Sequence, residues 1–336
     1  MKEKTYELLY DTQAQYDTRE GNSGNVTSVT PGVAYISEND KVGYNKTSDT
    51  LIVVYKVENT SEPIKIYNAD AVKTGLKHVF IDKEECPVSS LTNTYQFQET
   101  GLHAIKYRYS NLTSLPASSF TNCTNLVAIR IPDSVTSIGG NAFNHTALTE
   151  LYIPCSINGD ALIEIGSESS HVNVTVAGSI NRGANGGGGT YFENLIVLGD
   201  VSSSIFASGC NYCKSWRIKG GLLWSGGSNG ALFAAGVQTL SFFEVMGDIT
   251  CTNPIFYLNR LGSERIYHLG YSEKISGTPN ALAMDNAKLL RVYVGDGSSE
   301  AHDQEVLNKY LADENWSPYA SKLDLWYNYH GEYRQE

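Results

Sequence analysis

The sequence predicts a mainly β protein in three parts: a small N-terminal β-sandwich over residues 20–109, a repeat solenoid over residues 110–297 and a helical, aromatic C-terminal cap over residues 298–336. Charged residues make up only 18% of the chain, whereas glycine alone contributes 31 of the 336 residues, and this composition favours short strands and turns. A pattern that occurs twice between residues 110 and 154 predicts the solenoid. An amphipathic stretch after residue 298 predicts the helix of the cap.

Residues 110–154 contain the same arrangement of apolar residues twice, offset by 22 or 23 positions. Each copy ends in an alternating stretch, LVAIRIP and then LTELYIP, which predicts one short strand ended by a proline. Such a unit has one apolar side that it cannot cover alone, so it is stable only when it stacks on further copies. The matching positions are Leu112, Leu115, Phe120, Leu126, Ile129 and Ile131 in the first copy, and Val135, Ile138, Phe143, Leu148, Leu151 and Ile153 in the second.

The repeated pattern, in which a small residue precedes Phe and L-x-x-L/I-x-I-P follows, resembles the BspA-type bacterial leucine-rich repeats. The segment TYQFQETGLHAIKYRYSNLTSL resembles the family's junction between an Ig-like module and the first repeat, and NWSPYASKLDLWYNY resembles its ending after the last coil. The resemblance implies an N-terminal Ig-like β module, degenerate repeats, a C-terminal cap and a role in adhesion or binding.

After Pro154 the copies become less regular, but apolar residues at matching offsets predict six further strands. The solenoid then has about eight degenerate coils, with steps of 21 to 27 residues and insertions after Gly221 and near Asn259. Small or turn-forming residues follow several predicted strand ends, as a chain that leaves a strand requires. The six later strands are predicted to end at Val176, Val197, Ile218, Val245, Leu269 and Val294.

Before the repeats, short alternating runs separated by turn residues predict the seven or eight strands of an Ig-like sandwich. Two hairpins are expected, one at Glu38-Asn39-Asp40 and one at Glu99-Thr100-Gly101. Tyr107 and Tyr109 are expected to begin the sheet of the solenoid itself. Residues 1–19 have no clear period, so they are interpreted as an anchoring segment or a flexible tail.

The cap is predicted from a helix that begins after Gly297-Ser298-Ser299, with Glu300 and Asp303 in its first turn. Its apolar face is expected to contain Val306, Leu307, Tyr310 and Leu311. Because the last coil of a solenoid exposes its core, large side chains after the helix are expected to cover it. These are Trp316, Tyr319, Leu323, Leu325 and Trp326.

No pattern in the sequence indicates catalysis, a cofactor or a metal site, so we expect a protein that is not an enzyme. The seven histidines lie apart from any second ligand at metal spacing, and no G-x-S-x-G motif occurs. Cys210 and Cys213 have CxxC spacing, but their offsets from Ile218 equal those of Cys123 and Leu126 from Ile131. The two thiols are therefore expected to pack in the core as small hydrophobic groups.

The net charge is -11 and the sequence has no basic run. Because phosphate contacts need clustered Lys and Arg, we do not expect a nucleic-acid partner. The sequence contains no stretch of eighteen apolar residues, so we do not expect it to insert into a membrane. The N-terminus lacks the apolar run of a signal peptide. The expected location is therefore extracellular or at the cell surface if a signal was removed, and virion-associated if Met1 is the native start.

The sequence favours a non-enzymatic binding or adhesion protein whose extended repeat surface meets a protein or glycan on a cell surface. A second interpretation is a fibre or receptor-binding protein of a phage-like particle, in contact with neighbouring subunits of an assembly. A third is the accessory part of a glycan-active exported protein.

Strand alternation predicts where a partner binds. If Ile129 and Ile131 point into the coil, the residue between them points to the opposite face, and the same offsets apply in every coil. Aromatic residues and arginine often dominate binding energy, whereas an unused sheet surface with contacts elsewhere is the alternative. The partner-binding candidates are Arg130, Tyr152, Asn173, Arg217, Phe242, Glu244, His268, Arg291 and Tyr293.

Overall fold

The computed structural model describes residues 49–82, 84–182, 189–202, 210–223, 240, 242–250, 265–269 and 289–326. These residues are mainly β, with a β-solenoid and few helices. They fall into two compact units. The first ends at Cys155 and also contains Ala161–Asn173, and the second contains Ser156–Asp160 and the chain from Val174 onward.

In the first unit, nine of the ten described strands form three sheets, and β10 lies in none of them. The largest is antiparallel with the order β4-β3-β6-β1-β8, whereas β2 pairs with β5 antiparallel and β7 pairs with β9 parallel. The strands are β1 (Thr50–Val57), β2 (Ile64–Lys65), β3 (Leu76–Ile81), β4 (Glu84–Cys86), β5 (Thr94–Tyr95), β6 (Gly101–Tyr109), β7 (Ser114–Leu115), β8 (Leu126–Arg130), β9 (Ser137–Ile138) and β10 (Glu150–Ile153). Short 3-10 turns lie at Asp70–Lys73, Val88–Ser90 and Gly159–Leu162.

Strand β1 lies in the interior of the largest sheet and is buried on both faces. Val53 is 0% exposed on one face, and Ile52 and Val54 are each 2% exposed on the other. An uninterrupted apolar run is what a strand covered on both sides requires. Val53 pairs with Ile105 of β6 and with Ile129 of β8. The first repeat strand is therefore hydrogen-bonded to a strand from the region predicted as a sandwich.

Two expectations about this region differ from the structure. The hairpin at Glu99-Thr100-Gly101 is wrong, because β5 pairs with β2, and both edges of β6 are occupied by β1 and β3. Tyr107 and Tyr109 lie in β6, but β1 separates that strand from the first repeat strand. The hairpin at Glu38-Asn39-Asp40 and the segment 1–19 lie outside the described residues, so the sandwich stays a prediction.

The two repeats recognised in the sequence stack on one another. Leu115 pairs with Ile138, and the equivalent rings of Phe120 and Phe143 lie 6.4 Å apart with planes only 2° from parallel. Phe120 also donates its backbone N–H to the carbonyl of Ala142 at 2.8 Å. Both rings are 0% exposed, so the repeated Phe forms the core between successive coils.

The second unit is a β-solenoid with two parallel rows of strands. The main row runs in the order β14-β15-β16-β17-β18-β19, and Leu198 after β14 donates to the carbonyl of Val176 at 2.9 Å. The strands are β11 (Ile157–Asn158), β12 (Val172–Val176), which begins in the first unit, β13 (Ile180–Arg182), β14 (Thr190–Val197), β15 (Cys210–Ile218), β16 (Phe242–Val245), β17 (Arg265–Leu269), β18 (Leu289–Val294) and β19 (Leu323–Leu325).

The second row consists of β11, β13 and single bridges. Ile157 pairs with Ile180, and parallel bridges then join Ile180 to Val201, Val201 to Leu222 and Leu222 to Ile249. Along this row the solenoid makes about four turns. The insertions predicted after Gly221 and near Asn259 lie outside the described residues.

The predicted strand ends are confirmed. Strand β8 ends one residue before the predicted Ile131, and the seven later strands for which an end was predicted, β10, β12 and β14 to β18, end at the predicted residues. Apolar residues at matching offsets predicted these ends correctly because the inward side chains are fully buried. Phe192, Trp216 and Phe243 are each 0% exposed. The rings of Trp216 and Phe243, on adjacent strands, lie 5.1 Å apart.

At the corners after β14, β15 and β16, a column of glycines lets successive coils approach closely. A Cβ on Gly199 would lie 2.8 Å from the carbonyl carbon of Gly178, and one on Gly220 would lie 2.6 Å from that of Gly199. A Cβ on Gly247 would lie 2.7 Å from the carbonyl carbon of Gly220. Because these neighbours are backbone atoms, a side chain at the corner must push two coils apart.

The C-terminal segment packs at the end of the main row. Helix α1 (Glu300–Ala312) begins at Ser299, whose side chain accepts a hydrogen bond from His302 N–H at 3.2 Å. A 3-10 segment (Ser317–Lys322) follows, and β19 then pairs in parallel with β18. Among the residues predicted to cover the last coil, Trp316, Leu323 and Trp326 are buried, whereas Tyr319 and Leu325 are half-buried.

The buried face of α1 differs from the predicted one. Val306 and Tyr310 are buried as expected, but Leu307 is half-buried and Leu311 is 38% exposed. Asp303 is buried in their place, and its Oδ1 accepts hydrogen bonds from the N–H groups of Asp296 and Gly297 at 3.0 and 3.1 Å. The helix is therefore rotated toward the loop that follows β18.

The glycine column predicts a graded cost for adding one methyl group. We expect Gly220→Ala to lower the free energy of unfolding by about 1–3 kcal/mol, because the new Cβ meets backbone that only a shift of the coil can relieve. The neighbouring Gly221→Ala, whose Cβ has its closest contact at 3.0 Å, should cost less. Chemical denaturation of both variants measures the difference, and equal stabilities would show that the corner is not sterically limiting.

The C-terminal packing predicts that Trp316→Ala costs about 3–5 kcal/mol of unfolding free energy, because Trp316 is 1% exposed and its ring lies 4.9 Å from that of Tyr310. Leu311→Ala on the exposed side of α1 is the control and should change stability by less than about 0.5 kcal/mol. Similar losses in both variants, measured by thermal melting, would contradict the packing described.

Candidate binding surface

The predicted outward residues divide between the two units. In the first, Tyr152 is 43% exposed, whereas Arg130 and Asn173 are half-buried. Burial lowers the pKa of the Arg130 guanidinium to about 10, against the opposing effect of Asp133. Tyr152 is thus the accessible member of this group.

In the second unit, the strand register places the predicted residues side by side. Arg217 lies opposite Glu244, Glu244 opposite His268, and His268 opposite Tyr293 on successive strands. Arg217 is exposed, and Phe242 and Tyr293 are half-buried. The backbones of His268 and Arg291 are described, but their side chains lie outside the described part of the chain.

Glu244 is not the exposed contact residue that alternation predicts. It lies in the outward row, but it is only 3% exposed, and its carboxylate pairs with the ammonium of Lys219 at 2.8 Å. Alternation gives the face on which a side chain lies, and a neighbouring long side chain then decides its exposure. The partly exposed Lys219 therefore neutralises the buried Glu244.

A group of two exposed and two half-buried residues, which we call the Arg217 patch, lies on the outward side of β14, β15 and β16. The guanidinium of Arg217 lies over the ring of Phe242, 4.9 Å from its centroid. Ile196 is the register neighbour of Arg217 on β14, and Leu198, two residues further, is 46% exposed. The patch is defined as Ile196, Leu198, Arg217 and Phe242. It combines one cation with three apolar side chains.

Arg217 differs from the lysines beside it in its ion pairing. Lys214 forms an ion pair with Glu193, and Lys219 forms one with Glu244. Within the described residues, no carboxylate lies at ion-pair distance from Arg217. Its guanidinium therefore presents donors to solvent while Phe242 supports one of its faces.

Ser215 lies at the base of the patch, in register with Asn194 on one side and Phe242 on the other. It is 8% exposed, and its Oγ is buried without a hydrogen-bond partner within the described structure. A buried hydroxyl without a partner costs free energy, so a partner group that reached it would gain a hydrogen bond.

Sequence reasoning missed Leu198 and Lys219. Both follow directly after a predicted strand end, and the predicted outward row stops before that end. The available signal was the alternation itself: one more step beyond the inward Val197 or Ile218 returns to the outward face, and Leu198 indeed hydrogen-bonds to the preceding coil.

The cysteines with CxxC spacing are buried in the core. Cys210 is 1% and Cys213 is 0% exposed, and their thiols lie near the carbonyls of Tyr212 and Ser215. Burial raises the pKa of both thiols. Among the residues that the structure describes, no three His, Cys, Asp or Glu side chains are grouped as metal ligands would be.

A buried histidine in the first unit has a structural environment. The Nδ1 of His103 lies 2.7 Å from Oδ2 of Asp82, and its Nε2 lies 2.8 Å from the carbonyl of Glu99. The second carboxylate oxygen of Asp82 accepts from the N–H of Ala104 at 3.0 Å. With both ring nitrogens engaged and 3% exposure, His103 fastens the turn before β6.

The stacked repeats and parallel rows are those of a repeat solenoid. A model of the family described as "BspA type Leucine rich repeat region (6 copies)" matches residues 88–163. Residues 88–163 therefore carry BspA-type leucine-rich repeats, as the sequence pattern predicts. Comparisons with curated proteins and with solved structures give no match.

This repeat family is typically a non-catalytic binding scaffold, and a BspA-like solenoid fits a repeat-based binding or adhesion protein. None of the described helices has the length and apolar character needed to cross a membrane.

The burial of the Cys210 and Cys213 thiols predicts that they react slowly with alkylating reagents. Because burial raises their pKa, Cys210 and Cys213 stay protonated in the folded state at pH 8, where unfolded thiols with a pKa near about 8.5 partly ionise. We expect iodoacetamide to label both at least about 100-fold more slowly in the folded protein than after unfolding. Peptide mass spectrometry measures each site, with the half-buried Cys86 as an internal comparison.

The same shift implies that stability falls as pH rises through about 8.5, because the unfolded chain then releases protons that the folded core retains. Fast labelling of Cys210 and Cys213, or stoichiometric zinc that disappears in Cys210→Ala with Cys213→Ala, would contradict a packing role.

Proposed function

We propose that this protein is a non-enzymatic binding or adhesion protein that holds its partner at the Arg217 patch. The observation that carries the proposal is the exposed guanidinium of Arg217, which is supported by Phe242 and flanked by accessible aliphatic side chains. Arginine, aromatic and aliphatic groups in one contiguous area resemble the energetic centre of a protein interface more than a solvated surface.

The location of the patch favours binding because the backbone beneath it is fixed. Strand β15 is hydrogen-bonded on both sides, to β14 and to β16, and the inward side chains of all three are buried. Side chains on such a platform lose little freedom when a partner arrives. The nearby ion pairs are already formed, so they add no ordering cost.

The remaining segments have supporting roles in this proposal. Residues 298–326 act as the cap of the last coil, since Trp316 and Trp326 are buried beside β18 and β19. The partner is a protein or glycan at a cell surface, which places the protein itself outside the cell or at its surface. The exposed Tyr152 is a secondary contact of the first unit.

A comparison of surface variants tests the proposal. The wild-type protein is screened against arrays of purified extracellular protein domains and glycans, and the affinity of each hit is then measured for Arg217→Ala and Leu198→Lys. We expect each variant to weaken binding tenfold or more, equivalent to about 1.4 kcal/mol, because each removes or blocks one part of the patch.

Lys322→Ala is the matched control, since Lys322 also lies over an aromatic ring, 6.0 Å from the centroid of Tyr319, but outside the patch. Its affinity should equal that of the wild type. If all hits bind the Arg217→Ala and Leu198→Lys variants as tightly as the wild type, the binding surface is elsewhere.

A further inference from the structure

Resting on the proposed function, we infer that the Arg217 patch takes a protein segment that carries one carboxylate side chain beside an aliphatic side chain. Arg217 binds the carboxylate, and Ile196 with Leu198 binds the aliphatic group. The inference concerns the chemistry of the partner rather than the existence of binding.

The available N–H donors of Arg217 indicate that the partner carries a carboxylate. A guanidinium that lies over a ring still has N–H donors directed away from that ring, and these can receive a carboxylate through two parallel hydrogen bonds. Phe242 lies beside it at 4.9 Å, and among the described residues the neighbouring carboxylates of Glu193 and Glu244 are paired with Lys214 and Lys219. The partner must therefore bring its own anion.

The aliphatic group follows from the strand next to Arg217. Ile196 lies opposite Arg217 in the register, so its side chain is about 5 Å away across the sheet. Leu198 continues the apolar area and is 46% exposed. A segment in contact with both places its apolar and acidic side chains about 5 Å apart, which is a spacing that neighbouring side chains of a protein provide.

Two observations favour a protein segment over an acidic glycan. Sugar rings bind to the open faces of aromatic side chains, and Arg217 already covers one face of Phe242. The aliphatic side chains of the patch instead suit an aliphatic partner. In addition, a protein with a net charge of -11 repels a long polyanion, but it tolerates a single carboxylate at a local guanidinium.

The test uses a phage-displayed library of random twelve-residue peptides selected on the immobilised full-length protein. Enriched sequences are synthesised in pairs, with the acidic residue present or replaced by its amide. Fluorescence polarisation then measures both peptides with the wild type and with Arg217→Gln, Leu198→Lys and Lys322→Gln. All variants are first checked for an unchanged melting temperature.

The inference predicts enriched peptides with an acidic residue next to a Leu, Ile or Val. The wild type and Lys322→Gln should prefer the acidic peptide tenfold or more, and this preference should disappear in Arg217→Gln. Leu198→Lys should weaken both peptides of each pair.

Other outcomes separate the two levels of the proposal. Peptides that Leu198→Lys weakens but whose acidic and amide forms bind equally would leave the patch as a binding surface and overturn the inferred chemistry. Peptides that bind independently of both Arg217→Gln and Leu198→Lys would overturn the inference together with the proposed function.

Discussion

Close approach of backbone at the corner of each coil is the constraint on which the solenoid of the second unit depends. Gly178, Gly199, Gly220 and Gly247 stack where the main strands turn toward the second row, and backbone of the preceding coil occupies the place of the missing Cβ at Gly199, Gly220 and Gly247. Hydrogen bonds cross this column, as from Gly247 N–H to the carbonyl of Gly220 at 3.0 Å. Both rows of strands depend on that spacing, since parallel ladders require adjacent backbones about 4.8 Å apart.

The stacking of the strands determines the positions of the outward side chains. Because the inward residues Trp216 and Phe243 fix the rotation of β15 and β16, Arg217 and Glu244 must lie side by side on the opposite face. The surface chemistry is then decided by neighbours: Glu244 is covered by Lys219, whereas Arg217 stays exposed above Phe242. A regular core thus produces a surface on which equivalent positions behave differently.

The sequence was sufficient for features that depend on local alternation and insufficient for those that depend on distant pairing. Strand ends such as Val197 and Ile218 were predictable because a repeated inward residue marks each of them. The pairing of β5 with β2, and the place of β1 beside β8, were not predictable because short apolar runs carry no information about their partners. The burial of Glu244 and the exposure of Leu311 depend on the packing of neighbouring side chains, which periodicity does not describe.

The position of β1 has a consequence for the order of folding. In repeat arrays each coil contacts only its neighbours, so structure can spread along the chain as soon as a few coils exist. The pairing of Val53 with Ile129 is an exception, because it closes a long loop of chain before any ladder forms there. During synthesis, β1 must therefore wait for β8 to leave the ribosome before its second edge is satisfied. Until then β1 can pair only with β6, so the edge that receives the first coil stays open.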